Sequence, residues 1–75
     1  MLDWDDLRYF LAVSRAGSLS AAARVLGVTQ PTVGRRISAL QRRLGAKLFT
    51  PTLTGQELAA SGRRLLVHAE RMELE

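Results

Sequence analysis

The chain has 75 residues, the size of one small domain. It contains no cysteine, so neither a disulfide nor a thiolate metal site can stabilise it. No apolar run approaches the ~20 residues of a membrane span, and the acidic N-terminus is the opposite of a signal peptide's basic start. We therefore expect a cytoplasmic domain that helix packing stabilises, with no membrane segment and no cofactor.

Basic and acidic residues are segregated along the chain. Residues 7–56 contain eight lysine and arginine side chains and no acid, although the net charge of the whole chain is only +4. All seven acids lie in the first six residues or from Glu57 onward. Ordinary surfaces intersperse both signs, whereas a field of one sign attracts a polyanion. This pattern favours a nucleic-acid partner over a solvated arginine-rich surface without a partner.

The first predicted helix covers residues 1–16. Asp3 can cap its start, and two further acids follow in the first turn, where negative charge suits the helix dipole. Phe10 and Trp4 are expected in the core. Gly17 ends this helix.

The segment from Ser18 to Leu44 predicts two helices joined by a tight turn. Ser20 can cap the first of them, and Gly27 ends it. Thr29 can cap the second, and Pro31 falls in its first turn, where a missing N–H costs little. A three-residue turn containing glycine between a short and a longer helix is typical of a helix-turn-helix.

The two sides of the third helix differ in chemistry. Helical spacing predicts an apolar stripe on one side, formed by Val33, Ile37, Leu40 and Leu44. The arginines lie off that stripe, at Arg35, Arg36, Arg42 and Arg43. The helix is therefore expected to pack by one side and to present cations on the other, with Arg43 also placed to neutralise the negative end of the helix dipole.

A short β-hairpin is predicted after Gly45, which ends the third helix. Pro51 and Gly55 punctuate it, with one strand expected at residues 48–49 and the other at 56–58. Strands this short are marginal alone. Against a three-helix core they would form a wing.

A last helix is predicted from about Ala59 to the end of the chain. Its apolar face can be read either as the packed side of a terminal helix or as a dimer interface formed by Leu65, Leu66, Ala69 and Met72. The single histidine, His68, lies on this helix without acids at the adjacent helical spacings on both sides. We therefore expect neither an enzyme nor a metal site.

Taken together, these residues resemble the N-terminal DNA-binding domain of the LysR-type transcriptional regulators. The resemblance covers nearly the whole chain and includes LRYFLAV at 7–13, GSLSAAA at 17–23, LGVTQP at 26–31, ISAL at 37–40 and SG at 61–62. It implies a mainly α fold, a winged helix-turn-helix with a three-helix core, a short β-hairpin wing and a C-terminal linker helix that forms dimers. In the family a large effector-binding domain follows.

The resemblance also implies a division of the chain. Residues 1–58 correspond to the winged helix-turn-helix, and residues 59–75 to the start of the dimerisation linker helix. The effector-binding domain is absent from these 75 residues, so a small-molecule effector is expected only for a full-length form. The linker helix looks cut short at Glu75, as in a truncated form or a short derivative.

Double-stranded DNA is the expected partner, with a recognition helix at about residues 30–44 in the major groove. The expected base contacts are Gln30, Pro31, Thr32, Gly34 and Arg35, and the resemblance places contacts at all of these positions except Gly34. The expected phosphate contacts are Ser18, Ser20, Thr29, Arg36, Ser38 and Arg42. The same hydroxyls can serve only as caps, and the arginines can be merely solvated. Arg8, Arg15 and Arg24 can either help to position the domain on DNA or serve only to keep it soluble.

Three departures from the family pattern concern the site. Gly34 stands where serine is common, and Pro51 and Thr54 stand where the wing usually carries basic residues. Ala59 replaces the usual threonine cap of the last helix, so the cap either passes to Ser61 or is lost. We therefore expect weak wing contacts, from Thr50, Thr52 and Thr54, and more of the affinity in the recognition helix.

As a dimer with two-fold symmetry, such a domain would read an interrupted inverted repeat. The alternative is a winged-helix module that binds another protein through the apolar face of its last helix. The acid-free stretch of residues 7–56 argues against it, because a protein-binding module has no reason to lack acids there.

Overall fold

The computed structural model describes residues 2–75. In these residues the elements follow the order α1 (Trp4–Ala16), α2 (Leu19–Leu26), α3 (Gln30–Leu44), β1 (Phe49–Thr52), β2 (Gly55–Leu58) and α4 (Ala60–Leu74). The two strands form one antiparallel hairpin. This is the predicted mainly α arrangement of three helices, a hairpin and a last helix. The predicted helical start at Met1 lies outside the described residues.

The starts of α1 and α2 are set by local side-chain caps. Asp3 accepts a hydrogen bond from the Asp6 N–H at 2.9 Å, and the Asp6 carboxylate accepts one from the Asp3 N–H at 3.4 Å. The prediction that Ser20 caps α2 is wrong. Ser18 has the extended backbone of a cap, and its hydroxyl accepts the Ala21 N–H at 3.1 Å, whereas Ser20 already lies inside the helix.

The core forms where α1, α2 and α3 meet under the hairpin. Phe10 is fully buried, and its ring centre lies 5.4 Å from that of Phe49. Trp4 is 46% exposed, so its predicted place in the core is wrong. Trp4 is the first residue of α1 and lines a surface depression together with Arg8 and Ala12 of the same helix.

The apolar stripe of α3 is buried for most of its length. Val33, Ile37 and Leu40 are buried, but Leu44 is 40% exposed. Leu44 is the last residue of α3. The stripe therefore contributes three residues to the core.

The hairpin is longer than predicted, because both strands extend toward the turn. β1 runs from Phe49 through Pro51 to Thr52, and Phe49 pairs with Leu58 at the base. Pro51 is thus part of a strand rather than a break, which a two-stranded sheet permits because both strands are edges. Leu48, predicted on the strand, is buried immediately before it.

Hydrogen bonds tie the hairpin to the helices on two sides. The Gln56 N–H donates to the Gly17 carbonyl at 2.8 Å, at the junction of α1 and α2. The Gln41 side-chain Oε1 accepts the N–H groups of Leu48 at 2.8 Å and Phe49 at 3.2 Å. Gln41 thus fixes the wing relative to α3, a role that sequence analysis missed.

The last helix packs on the core at its inner face. Ala69 is fully buried within one chain and Gly62 is buried too, while Leu65 and Leu66 are half-buried against the core. Ala69 is therefore removed from the expected dimer interface, because a side chain covered by its own domain cannot contact a second copy. Met72 is 49% exposed.

No side chain caps the start of α4. Ala59 occupies the cap position without a side-chain hydrogen bond. The Ser61 hydroxyl instead accepts a bond from Arg64 at 2.9 Å. Of the two alternatives at this position, the cap is lost.

Candidate nucleic-acid interface

Two arginines of α3 point toward α1 and pair with its acids. An Nη of Arg36 lies 3.0 Å from the Asp5 carboxylate, and an Nη of Arg43 lies 2.6 Å from that of Asp6. The Arg36 guanidinium also lies over the Tyr9 ring, 4.5 Å from its centre. The acids of the N-terminus therefore neutralise part of the positive charge of residues 7–56, which contain no acid of their own.

The two other arginines of α3 lie on its open side. Arg35 and Arg42 are seven residues apart, the same spacing as that of the paired arginines. Neither of them pairs with an acid among residues 2–75. The open side is a shallow surface depression lined by Pro31, Gly34, Arg35, Ser38, Ala39 and Arg42. We call these six residues the open face of α3. Its cations are uncompensated and exposed.

The first turn of α3 is exposed and held by one threonine pair. The Thr29 hydroxyl accepts the Thr32 N–H at 3.4 Å, and the two hydroxyls lie 2.9 Å apart. The Arg35 guanidinium donates to the Thr32 hydroxyl at 3.3 Å, which orients the arginine along the helix. Gln30 and Pro31 are exposed at the start of the helix.

The predicted base-contact residues therefore lie together, with one difference in orientation. Gln30, Pro31 and Arg35 are exposed, and Thr32 is half-buried beside them. A Cβ built on Gly34 would lie 3.7 Å from the Leu19 side chain, so this position lies where the open face meets α2.

The predicted phosphate contacts divide into two sets. Ser38 and Arg42 lie on the open face, one and two turns beyond Arg35. Ser18 and Thr29 act as helix caps, and Ser20 is exposed in the first turn of α2. Arg36 is separated from these residues by its contacts with α1.

The wing carries hydroxyl groups and no cation. Thr50, Thr52 and Thr54 are exposed, and the Thr52 hydroxyl accepts the Gly55 N–H at 3.1 Å within the turn. Leu53 is fully exposed at the tip. Sequence analysis missed this apolar tip, although its position between two threonines in the turn was the available signal.

Ion pairs shift the pKa values of the acids that face the helices. Hydrogen bonds from Arg36 and Arg8 lower the pKa of Asp5. Burial raises the pKa of Asp6, but the hydrogen bonds from Arg43 and from the Asp3 backbone outweigh it, so the net shift is downward. At neutral pH both carboxylates are charged and hold their arginines.

A further ion pair connects α1 to the far end of α4. Two nitrogens of the Arg15 guanidinium lie 2.8 and 2.6 Å from the two Glu73 carboxylate oxygens. This bond lowers the pKa of Glu73. Arg15 thus ties two helices together.

Acid is expected to weaken the fold through Asp6. Its folded pKa lies below the ordinary value of 3.8, so its stabilising contribution is complete above that value and is lost as the pH falls through the folded pKa. We expect Asp6→Asn to lower stability by about 1 kcal/mol at pH 7 and to flatten the loss of stability below about pH 4. Urea unfolding at pH 7 and pH 3 measures both effects. Glu57→Gln, an exposed acid without an ion pair among the described residues, is the control; an equal flattening in it would contradict the assignment.

A sequence model described as "Bacterial regulatory helix-turn-helix protein, lysR family" matches residues 4–63. The chain belongs to the LysR family. The resemblance seen in the sequence is thereby confirmed. This LysR-family chain is 44% identical over 71 residues to the HTH-type transcriptional regulator ClcR of Pseudomonas putida. The match covers 95% of the chain and 24% of ClcR, so the chain spans about a quarter of the length of that relative.

Solved DNA complexes have the same fold as this LysR-family chain. The crystal structure of the CbnR_DBD-DNA complex matches with a TM-score of 0.89 and 39% identity, over 95% of this chain and 82% of that one. The BenM_DBD/benA site 1 DNA complex matches with a TM-score of 0.89 and 28% identity, over 95% of this chain and 80% of that one. The predicted winged helix-turn-helix is thereby confirmed.

Residues 2–75 contain neither a helix suited to a membrane nor a cluster of metal ligands. None of their helices is both long and apolar enough to span a bilayer. Their single histidine and their acids form no group of three or more that could hold a metal ion.

Proposed function

We propose that this LysR-family domain binds double-stranded DNA sequence-specifically as the DNA-binding part of a transcription regulator. The observation that carries the proposal is the open face of α3. Its two arginines have no acid partner among the described residues, and the exposed first turn of the helix lies directly beside them. Such a surface has the charge and width to enter a major groove.

The first half of α3 reads base edges in this proposal. Arg35 donates two hydrogen bonds to a guanine, and Gln30 pairs with an adenine. Pro31 and the Thr32 methyl group contact thymine methyl groups. Gly34 lies at the edge of the open face and has no side chain, which leaves room for a base pair to approach the backbone.

Phosphate contacts fix the helix in the groove. Ser38 and Arg42 bind one strand along the open face, because they continue the line of Arg35. Ser18, Ser20 and Thr29 lie at helix N-termini, where free N–H groups favour an anion. The wing threonines add weaker contacts.

Two copies would bind together as a homodimer on an interrupted inverted repeat. Its interface is α4, through Met72 and the parts of Leu65 and Leu66 that the core leaves uncovered. We extend it to Val67 and Leu74, because both are exposed apolar residues of this helix. Residues 1–58 then form the DNA-binding unit and residues 59–75 the start of the dimerisation helix. A small-molecule effector would act only in a full-length, cytoplasmic regulator.

The alternative, a protein-binding module without DNA, is not favoured. It requires only the exposed side of α4 and gives no role to the open face of α3. Catalysis is likewise not part of the proposal, since the relatives are transcriptional regulators and His68 is merely exposed on α4.

Salt-dependent DNA binding tests the proposal. Fluorescence anisotropy of a random-sequence duplex, titrated with the chain at several salt concentrations, is expected to give a slope of log affinity against log salt of about −3 or steeper. Arg71→Ala, which removes a cation from the far end of α4, is the control and should leave the slope unchanged. A folded chain that does not bind at low salt would contradict the proposal.

A further inference from the structure

The contacts of Asp5 connect the acidic N-terminus with the recognition helix. Its carboxylate accepts hydrogen bonds from Arg36 of α3 at 3.0 Å and from Arg8 of α1 at 3.1 and 3.2 Å. A DNA phosphate presents the same kind of charged oxygen to a guanidinium. Asp5 therefore occupies a position on Arg36 that a phosphate oxygen would otherwise take.

The position of Arg36 makes this competition possible. It follows Arg35 directly, on the flank of α3 between the open face and α1. Its side chain is 37% exposed, and that of Asp5 is 49% exposed. A phosphate at the edge of the groove can therefore reach the guanidinium from the solvent side. An exposed ion pair is weak enough to be exchanged.

The Tyr9 ring fixes the direction of the Arg36 side chain. Tyr9 is buried, and the guanidinium lies over its ring. The aliphatic part of the Arg36 side chain is therefore ordered whether or not its guanidinium is paired with Asp5. Little side-chain entropy is lost when the guanidinium exchanges one oxygen partner for another.

We propose that Asp5 limits the DNA affinity of this domain by competing with a phosphate for Arg36. The inference rests on the proposed function and adds a residue to it. Asp5 contacts no base in this scheme, and its removal strengthens binding to any sequence. An acid in this place reduces sequence-independent affinity and leaves discrimination to Gln30 and Arg35.

A double-mutant cycle tests the competition. Asp5→Asn is expected to raise affinity for a random-sequence duplex by about 2- to 5-fold at low salt, the range expected for one exposed ion pair. In an Arg36→Met background the gain should vanish. Methionine keeps the aliphatic cover over Tyr9, and thermal unfolding checks that each variant is folded.

Two controls separate this effect from a general change of charge. Arg8 is the other arginine that Asp5 holds. In an Arg8→Ala background the gain from Asp5→Asn should persist, because the gain comes from releasing Arg36. Glu57→Gln makes the same charge change on the wing, and its effect on affinity should not depend on Arg36. A gain of equal size in the Arg36→Met background, or no gain at all, would overturn the inference while DNA binding itself stands. A chain that binds no DNA would overturn the proposed function and this inference with it.

Discussion

Arg35→Ala is expected to weaken binding to the preferred DNA site by about 5- to 150-fold, because a bidentate arginine–guanine contact is worth about 1–3 kcal/mol. The site would first be selected from random duplexes. The variant should also lose its preference at one base-pair position, while affinity for random DNA falls less. Anisotropy titrations against the selected site and single-base variants of it measure both effects.

Arg43→Ala is the matched control for Arg35→Ala. It removes the same charge from the same helix. Arg43, however, pairs with Asp6 of α1 and does not belong to the open face. We expect it to reduce stability by about 1 kcal/mol or less and to leave base preference unchanged. A loss of specificity in Arg43→Ala equal to that in Arg35→Ala would contradict the two-sided description of α3.

The wing offers a second comparison. Thr52→Ala and Thr54→Ala should each weaken binding less than Arg35→Ala, because a neutral hydroxyl makes a weaker hydrogen bond to an anion than a guanidinium does. If either threonine variant loses as much affinity as Arg35→Ala, the prediction of a weak wing is wrong.

Gly62→Ala is expected to lower stability by about 2–4 kcal/mol. A Cβ on Gly62 would overlap the Leu48 carbonyl oxygen, which already accepts the Ala59 N–H at 2.9 Å. Because the obstacle is backbone, α4 must move away from the core and its partly buried leucines lose contact. For a domain of this size, a thermal midpoint lowered by about 10 °C or more would follow.

Gly34→Ala is the control for the glycine substitution. Its Cβ would lie 3.7 Å from the Leu19 side chain, an ordinary contact, and the position is helical. The substitution should stabilise the fold by up to about 1 kcal/mol, since glycine is a poor helix former. Equal destabilisation by both substitutions would show that the Leu48 carbonyl is not what limits the position of Gly62.

The sequence by itself was sufficient for the C-terminal ends of α2 and α3, for the start of α3 and for the difference between the two sides of that helix. Gly27 and Gly45 end α2 and α3 in the left-handed conformation, and Thr29 with Pro31 starts the recognition helix. These signals are local, because a cap or a turn depends on residues within one helical turn of each other. Helical periodicity then separated the buried side of α3 from its arginines.

Only the tertiary structure decided which arginines are free. Arg36 and Arg43 meet acids that lie 31 and 37 positions earlier in the chain, and no spacing rule connects residues so far apart. The same holds for the exposure of Trp4 and the burial of Ala69. Periodicity defines which residues share a face of one helix, but the neighbours that cover that face come from the packing of the whole chain.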